Sequence, residues 1–336
     1  MSAAAVAALL ADPSRAADLD TTAWTGILCA ARAERLLASL AHRLDGLDLP
    51  DNVQSVLDSA KADAEVGRTE ALWEAEMARR ALAPLDVPVV LLKGTAYVAA
   101  GLGAAQGRNI GDLDILVPRD RLDEVEAALL DAGWDWVKPD PYDDDYYRRW
   151  MHELPPLIHA MRDRMIDVHH TILPLTARPT PDAAALIADS VSLENGLRML
   201  CPQDMIVHSA AHLLADGDLV GGLRNLWDIR CLAQEFADDA AFWPSLADRA
   251  AQHGLTPAVN RALRLSAALF DSAIPKPLDR WDRQDKWYVQ RLLARDGWGR
   301  STRPFIRLIF YIRSHWLRMP PLMLARHLWV KWRKAS

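Results

Sequence analysis

Cysteine is scarce in this 336-residue chain: Cys29, Cys201 and Cys231 are the three, and they lie far apart. With no Cys-x-x-Cys pair, neither a zinc ribbon nor a disulfide framework is indicated, and a reducing cytoplasm fits. Long uncharged apolar runs are also missing, so no stretch reaches the length of a membrane span. The apolar, Ala-rich start, Met1 to Leu10, lacks a basic flank and meets Asp12-Pro13 at once. That predicts a helix rather than a signal peptide. No repeat at a solenoid period and no low-complexity segment is present. What remains is a globular composition, 51% hydrophobic, in a chain long enough for two or three packed units.

The net charge of −6 hides an asymmetry. Residues 299–336 hold seven Arg and two Lys with no acidic residue, a charge of +9, which leaves −6 − 9 = −15 for the rest. The same tail concentrates Phe305, Ile306, Leu308, Ile309, Phe310, Tyr311, Trp316, Leu317, Trp329 and Trp332. The preferred reading is a last helix pair packed on the acidic body, its arginines reaching back to water. The second is an arm for anionic lipid or RNA, giving peripheral contact at the inner face of the membrane. The acidic body argues against DNA or RNA as the main partner.

Residues 1–83 read as a helical region, with apolar positions at helical spacing from Ala60 to Leu82. Residues 84–173 hold the strand patterns. Residues 174–298 read as a helical domain entered through a linker at Pro174–Pro181, and 299–336 as the basic aromatic tail. Val87–Leu92 reads as a buried strand, Ala96–Leu102 as a helix and Arg119–Ala132 as another, with Asp120 as its cap and Gly133 as its stop. Trp134-Asp135-Trp136-Val137 reads as a strand, and the acidic, aromatic stretch from Pro139 to Tyr147 as a solvated loop.

The densest chemistry is Asp112-Leu113-Asp114-Ile115-Leu116-Val117. On a strand the two carboxylates share a face while Leu113 and Ile115 turn to the core. Two hard oxygen ligands side by side suit Mg²⁺ bound together with phosphates, and such a pair is costly without a cation. Metal-dependent phosphoryl or nucleotidyl transfer is the leading reading, with two solvated aspartates at a strand edge still open for the triplet alone, a short motif that its surroundings must support.

The segment LLKGTAYVAAGLGAAQGRNIGDLDILV resembles the signature of the DNA polymerase beta-like nucleotidyltransferase superfamily. It most resembles the branch of uncharacterised nucleotidyltransferases, with a Leu92-Lys93-Gly94 turn, Arg108 before the Asp-x-Asp, and Asp167-Val168-His169 later. Leu223 to Ile229, which contains Arg224 and Asp228, is similar to that branch's helical part. Thr95 stands where Ser or Gly is more usual. The resemblance spans about residues 85 to 235, judged by motif position. It implies an α+β fold: a small mixed sheet with helices, flanked by N-terminal and C-terminal helical regions. It implies that Asp112, Asp114 and a third carboxylate, for which Asp167 is the candidate, bind Mg²⁺ or Mn²⁺ and do the catalytic work. It also implies that Lys93, Gly94, Thr95 and Arg108 hold a nucleoside triphosphate, ATP being the representative donor.

Several residues keep two readings. His169 orients Asp167, binds the acceptor, or is a satisfied core histidine, and His170 should be structural. Arg224 and Asp228 form a helix-surface ion pair or touch nucleotide or acceptor. His208 and His212, four apart, are packing or cleft wall, and His152 and His159 have no motif around them. The function implied is transfer of a nucleoside monophosphate to a hydroxyl or phosphate of an unknown acceptor, such as a polysaccharide or peptide natural-product intermediate. The alternatives are a toxin-like enzyme that modifies protein or tRNA, and a non-catalytic nucleotide-binding scaffold tethered by the tail. The sequence leaves the oligomeric state open.

Overall fold

The computed structural model describes residues 2–137, 140–278 and 280–320, together with 324, 329 and 333. Four helices open the chain: α1 (Ser2–Ala11), α2 (Thr21–Ala33), α3 (Leu37–Arg43) and α4 (Asp51–Leu82). The Asp20 side chain caps α2 by accepting from the Ala23 amide at 2.8 Å. In α4 the buried positions Val53, Leu57, Ala64, Ala71, Ala75, Ala78 and Leu82 recur at helical spacing, so one stripe faces the body.

The central part runs β1 (Val90–Leu91), α5 (Lys93–Ala99), β2 (Asp112–Leu116), α6 (Leu122–Asp131), β3 (Trp134–Trp136), α7 (Pro141–Trp150), β4 (Leu157–His159) and β5 (Met165–His169). Then follow α8 (Ala183–Ala188), β6 (Val191–Ser192), β7 (Arg198–Met199) and α9 (Pro202–Ala210). A π-helical turn, Ala211–Asp216, extends α9. The chain continues as α10 (Gly222–Phe236), α11 (Phe242–Gln252), α12 (Thr256–Phe270), α13 (Asp285–Leu292) and α14 (Pro304–Arg318).

The seven strands form one mixed sheet in the order β3-β4-β5-β2-β1-β7-β6. β2 runs parallel to β5, and β1 parallel to β7; the other neighbours are antiparallel. This is the expected mixed sheet between helical regions. Leu113, Ile115, Ile166 and Val168 are buried, as the alternation requires. Among the described residues no helix is long and apolar enough to cross a membrane.

Local expectations are corrected in five places. The 174–298 region is not purely helical, because β6 and β7 extend the sheet, and strands of two residues carry no readable period. The expected loop from Pro139 is helical from Pro141 on, held by Arg148–Asp144 and Arg149–Asp145 pairs one turn apart and by Arg148 on Glu126; Pro139 itself lies outside the described residues. Asp120 caps nothing: α6 starts at Leu122, with Arg121 at its cap and no side-chain cap bond. The strand expected over Val87–Leu92 narrows to β1, and the helix expected over Ala96–Leu102 starts and ends earlier, as α5.

In the tail, α14 packs through Phe310, whose ring meets Tyr288 at 5.0 Å. Its outer face leaves Phe305, Leu308, Ile309, Ile312 and Trp316 exposed. Packing is therefore observed for one face only. Trp332 lies outside the described residues.

Candidate active site

The parallel register of β2 and β5 sets Asp114 directly opposite Asp167. Strand alternation brings Asp112 to the same face. One oxygen from each of Asp112, Asp114 and Asp167 lies within 4.8 Å of the other two. Asp112 is exposed, whereas Asp114 is 3% exposed.

Asp114 is approached by two donors. Lys93 Nζ lies 2.5 Å from its Oδ1, and His169 Nε2 lies 3.0 Å from the same oxygen. Lys93 opens α5, two residues past β1, with φ +48°, the left-handed region that non-glycine residues rarely adopt. The Leu92 amide donates to the Asp114 carbonyl at 3.0 Å, so the turn and the carboxylate strand are tied by the backbone.

Burial alone would raise the Asp114 pKa, but the Lys93 charge and the His169 bond prevail and hold it below the usual carboxylate range. Asp167 behaves the opposite way. Burial, then the charges of Asp114 and Glu153, push it up to about 7. One buried carboxylate is neutralised and its neighbour is left without a counter-charge, so the donor set is short of positive charge. Three carboxylate oxygens facing one point fit a hard divalent cation.

The carboxylate edge opens into a cleft of about 420 Å³. Lys93, Gly94, Tyr97, Arg108, Asp112 and Asp114 line it together with His208, His212, Gly221, Arg224, Asn225 and Asp228. Arg108 crosses over Gly94: a Cβ there would sit 2.5 Å from Arg108 Nε. The guanidinium ion-pairs with Asp228 and lies 5.5 Å from the Tyr97 ring centre.

Arg224 also binds Asp228, with Nε 2.9 Å from Oδ1, and its Nη1 donates to Ser39 Oγ at 2.6 Å. The Arg224–Asp228 pair is thus not on the helix surface, since these residues are 5% and 2% exposed. The i, i+4 spacing was legible, but the partner that buries it, Arg108, comes from a loop 120 residues away in sequence.

Ser39, on α3, donates its hydroxyl toward the carbonyls of Gln106 and Gly107 at 2.8 and 3.1 Å. Gly107 has φ +63°, and a Cβ there would lie 2.3 Å from the Ala38 carbonyl carbon. The loop carrying Arg108 is therefore pinned on the N-terminal helices, which only glycine permits.

Thr95 is 1% exposed, and Thr95, Asp167 and His169 are not among the cleft-lining residues. His208 and His212 form cleft wall, one of the two readings open for them. Burial holds the His208 pKa well below the ordinary histidine value. His170 is buried and brought down to about 4, in keeping with a structural place. His169 is no isolated core histidine, because one ring nitrogen meets Asp114 and the other lies 3.4 Å from Glu153.

Sequence reasoning missed three features. Arg35 lines the cleft from the turn between α2 and α3, is exposed and has φ +56°. A lone Arg between helices carries no motif. The N-terminus of the 15-residue α10 faces the cleft through Gly221, an arrangement that favours anions; the Gly221-Gly222 pair was its available signal. His152, given no role, gathers with Glu153 and His169, donor atoms again within 4.8 Å.

Among the curated proteins, none matches this chain. The family model for uncharacterised nucleotidyltransferases matches residues 20–271, from the start of α2 to the end of α12. With a match over well more than half of its length, the chain belongs to the uncharacterised nucleotidyltransferase family.

Proposed function

We propose that the protein is a divalent-metal-dependent nucleotidyltransferase that moves a nucleoside monophosphate from a triphosphate to a hydroxyl or phosphate of an acceptor. The observation that carries this reading is the β2–β5 register, which faces Asp114 with Asp167 beside Asp112 at the edge of a cleft that also holds Lys93, Arg108 and Arg35. Asp112, Asp114 and Asp167 would hold Mg²⁺ or Mn²⁺. When bound, such ions stabilise charge on the attacking and leaving oxygens.

The chain's own groups supply the rest. Lys93, Arg108 and Arg35 offer positive charge to phosphate oxygens, Lys93 as a point charge and the arginines as planar forks. Gly94 and Thr95 contribute through the backbone, since the Thr95 hydroxyl is buried. The acceptor oxygen attacks the α-phosphorus, the bond to the bridging oxygen of the β-phosphate breaks, and pyrophosphate leaves. Asp167 would activate the acceptor hydroxyl, either through the ion it would hold or as a general base that takes up the hydroxyl proton. His169 orients Asp114, and Arg224 with Asp228 holds Arg108 in place. The reducing setting suggested by three free cysteines supports a cytoplasmic location.

The test is incubation with each α-labelled nucleoside triphosphate and Mg²⁺ or Mn²⁺, with a cell lysate and with the protein alone. Label should move to an acceptor only when metal is present, and Asp112→Asn or Asp114→Asn should abolish transfer. Triphosphate affinity that is indifferent to Mg²⁺ and unchanged in both variants would overturn the proposal.

A further inference from the structure

We propose a second metal site, separate from the three aspartates, in which His152, Glu153 and His169 bind one transition-metal ion with the coordination chemistry of zinc. Two imidazoles and one carboxylate form a ligand set suited to Zn²⁺ and its neighbours, and differ in kind from the all-oxygen set at Asp112. The three donor atoms lie within 4.8 Å of one another. Glu153 Oε2 is 3.4 Å from His169 Nδ1 and 3.7 Å from His152 Nε2. Ligands about 2.0 Å from a tetrahedral ion sit about 3.3 Å apart, near the two distances from Glu153.

A second observation points to a ligand. His169 is 2% exposed, yet its Nδ1 forms no hydrogen bond. Its Nε2 meets Asp114 at 3.0 Å. A metal-bound imidazole shows this pattern: one nitrogen on the ion and the other donating to a carboxylate. With no ion there, Nδ1 has the Glu153 carboxylate at 3.4 Å as an ion-pair contact without hydrogen-bond geometry.

The backbone preorganises the cluster. Glu153 and His169 face each other in an antiparallel bridge. The His170 amide donates to the His152 carbonyl, and the Leu154 amide to the Val168 carbonyl, both at 2.9 Å. The His152 and His169 rings lie 5.2 Å apart. With an ion on Nδ1, His169 carries its proton on Nε2 and donates it to Asp114. The ion thereby makes His169 a positioning residue for the neighbouring site.

The test uses the full chain in Mg²⁺ buffer. Metal content is measured after dialysis, and the metal-stripped protein is titrated with Co²⁺ while visible absorption is followed. One equivalent of transition metal should be retained, or one equivalent of Co²⁺ taken up with absorption typical of nitrogen and oxygen ligands. His152→Ala and Glu153→Gln should each weaken Co²⁺ binding more than about 100-fold, and Asp112→Asn should leave it intact. Glu153→Gln alone decides the matter should His152→Ala fail to fold, as circular dichroism reports. Absence of uptake by the wild type, uptake surviving in Glu153→Gln, or its loss in Asp112→Asn would overturn the site. The readout is binding, not transfer, so its failure leaves the magnesium-dependent reading standing, and the reverse also holds.

Discussion

Two buried carboxylates in this molecule are both held ionised, but in opposite surroundings. Asp285, at the start of α13, is 0% exposed and receives Arg261 Nε and Arg264 Nε, each at 2.8 Å, as well as the Asp282 amide at 3.1 Å. Two guanidinium groups serve one acid, and its pKa is held low against the pull of burial. Asp114 has one lysine and one histidine, but it shares its surroundings with Asp112, Asp167 and Glu153. The first site is closed electrostatically by the fold. The second is left with an excess of negative charge, an arrangement that costs stability unless something positive arrives. That contrast separates a carboxylate that holds helices together from carboxylates kept for a ligand.

The largest expected effect falls on the open site. Asp112→Asn or Asp114→Asn should lower label transfer by on the order of 10³-fold, measured with α-labelled triphosphate, while the circular dichroism spectrum stays that of the wild type. At the closed site the order reverses. Asp285→Ala takes the acid from Arg264, leaves Arg261 to Asp282 and Gln284, and should cost about 3 kcal/mol, read from urea unfolding, with transfer per folded molecule unchanged. A variant of Asp285 that kept wild-type stability would break the contrast.

Asp167→Asn sharpens it through pH. Because the folded-state pKa is raised to about 7 from the ordinary 3.8, the folded protein holds a proton that the unfolded chain has released between these values. Wild-type stability from this group therefore falls as pH rises from about 4 to 7. The variant lacks that loss, so its stability relative to the wild type should increase over this window and then level off. Mg²⁺ with a non-hydrolysable triphosphate should narrow the gap by stabilising the wild type, by about 2.7 kcal/mol at one hundred times the dissociation constant. The depressed His208 and His170 have the other sign. The unfolded chain takes up their protons first as pH falls below 6.5, so stability there declines toward acid.

The smallest effect concerns the glycine under the arginine. Gly94→Ala places a methyl against Nε and Cδ of Arg108 and should push the guanidinium from its place on Asp228. The KM for triphosphate should rise by about 10-fold, equivalent to about 1.4 kcal/mol. An unchanged KM would remove Arg108 from the binding site.

Much of the site was legible because its elements are local. Asp112-x-Asp114 and Asp167-x-His169 each lie within one strand, where alternation fixes the face. Their meeting depends on pairing β2 with β5, which no local pattern states; the family resemblance supplied that step. The N-terminal helices were legible from periodicity, as in α4. The two-residue strands β6 and β7 were not, since their place is set by backbone bonding to β1. Helix α7 escaped because its Pro and Asp residues also suit a loop, and the pairing of Arg148 with Glu126 that settles it crosses 22 positions. Arg35, Ser39 and the His152–Glu153 pair acquire meaning only from neighbours distant in sequence.

The hydroxyl of Ser39 has a practical corollary for anyone shortening this chain. It is the knot between the first helices and the cleft, hydrogen-bonded both to the Arg108 loop and to Arg224. A fragment beginning at residue 84 would keep every acidic ligand and yet lose the peg on which two of its arginines hang.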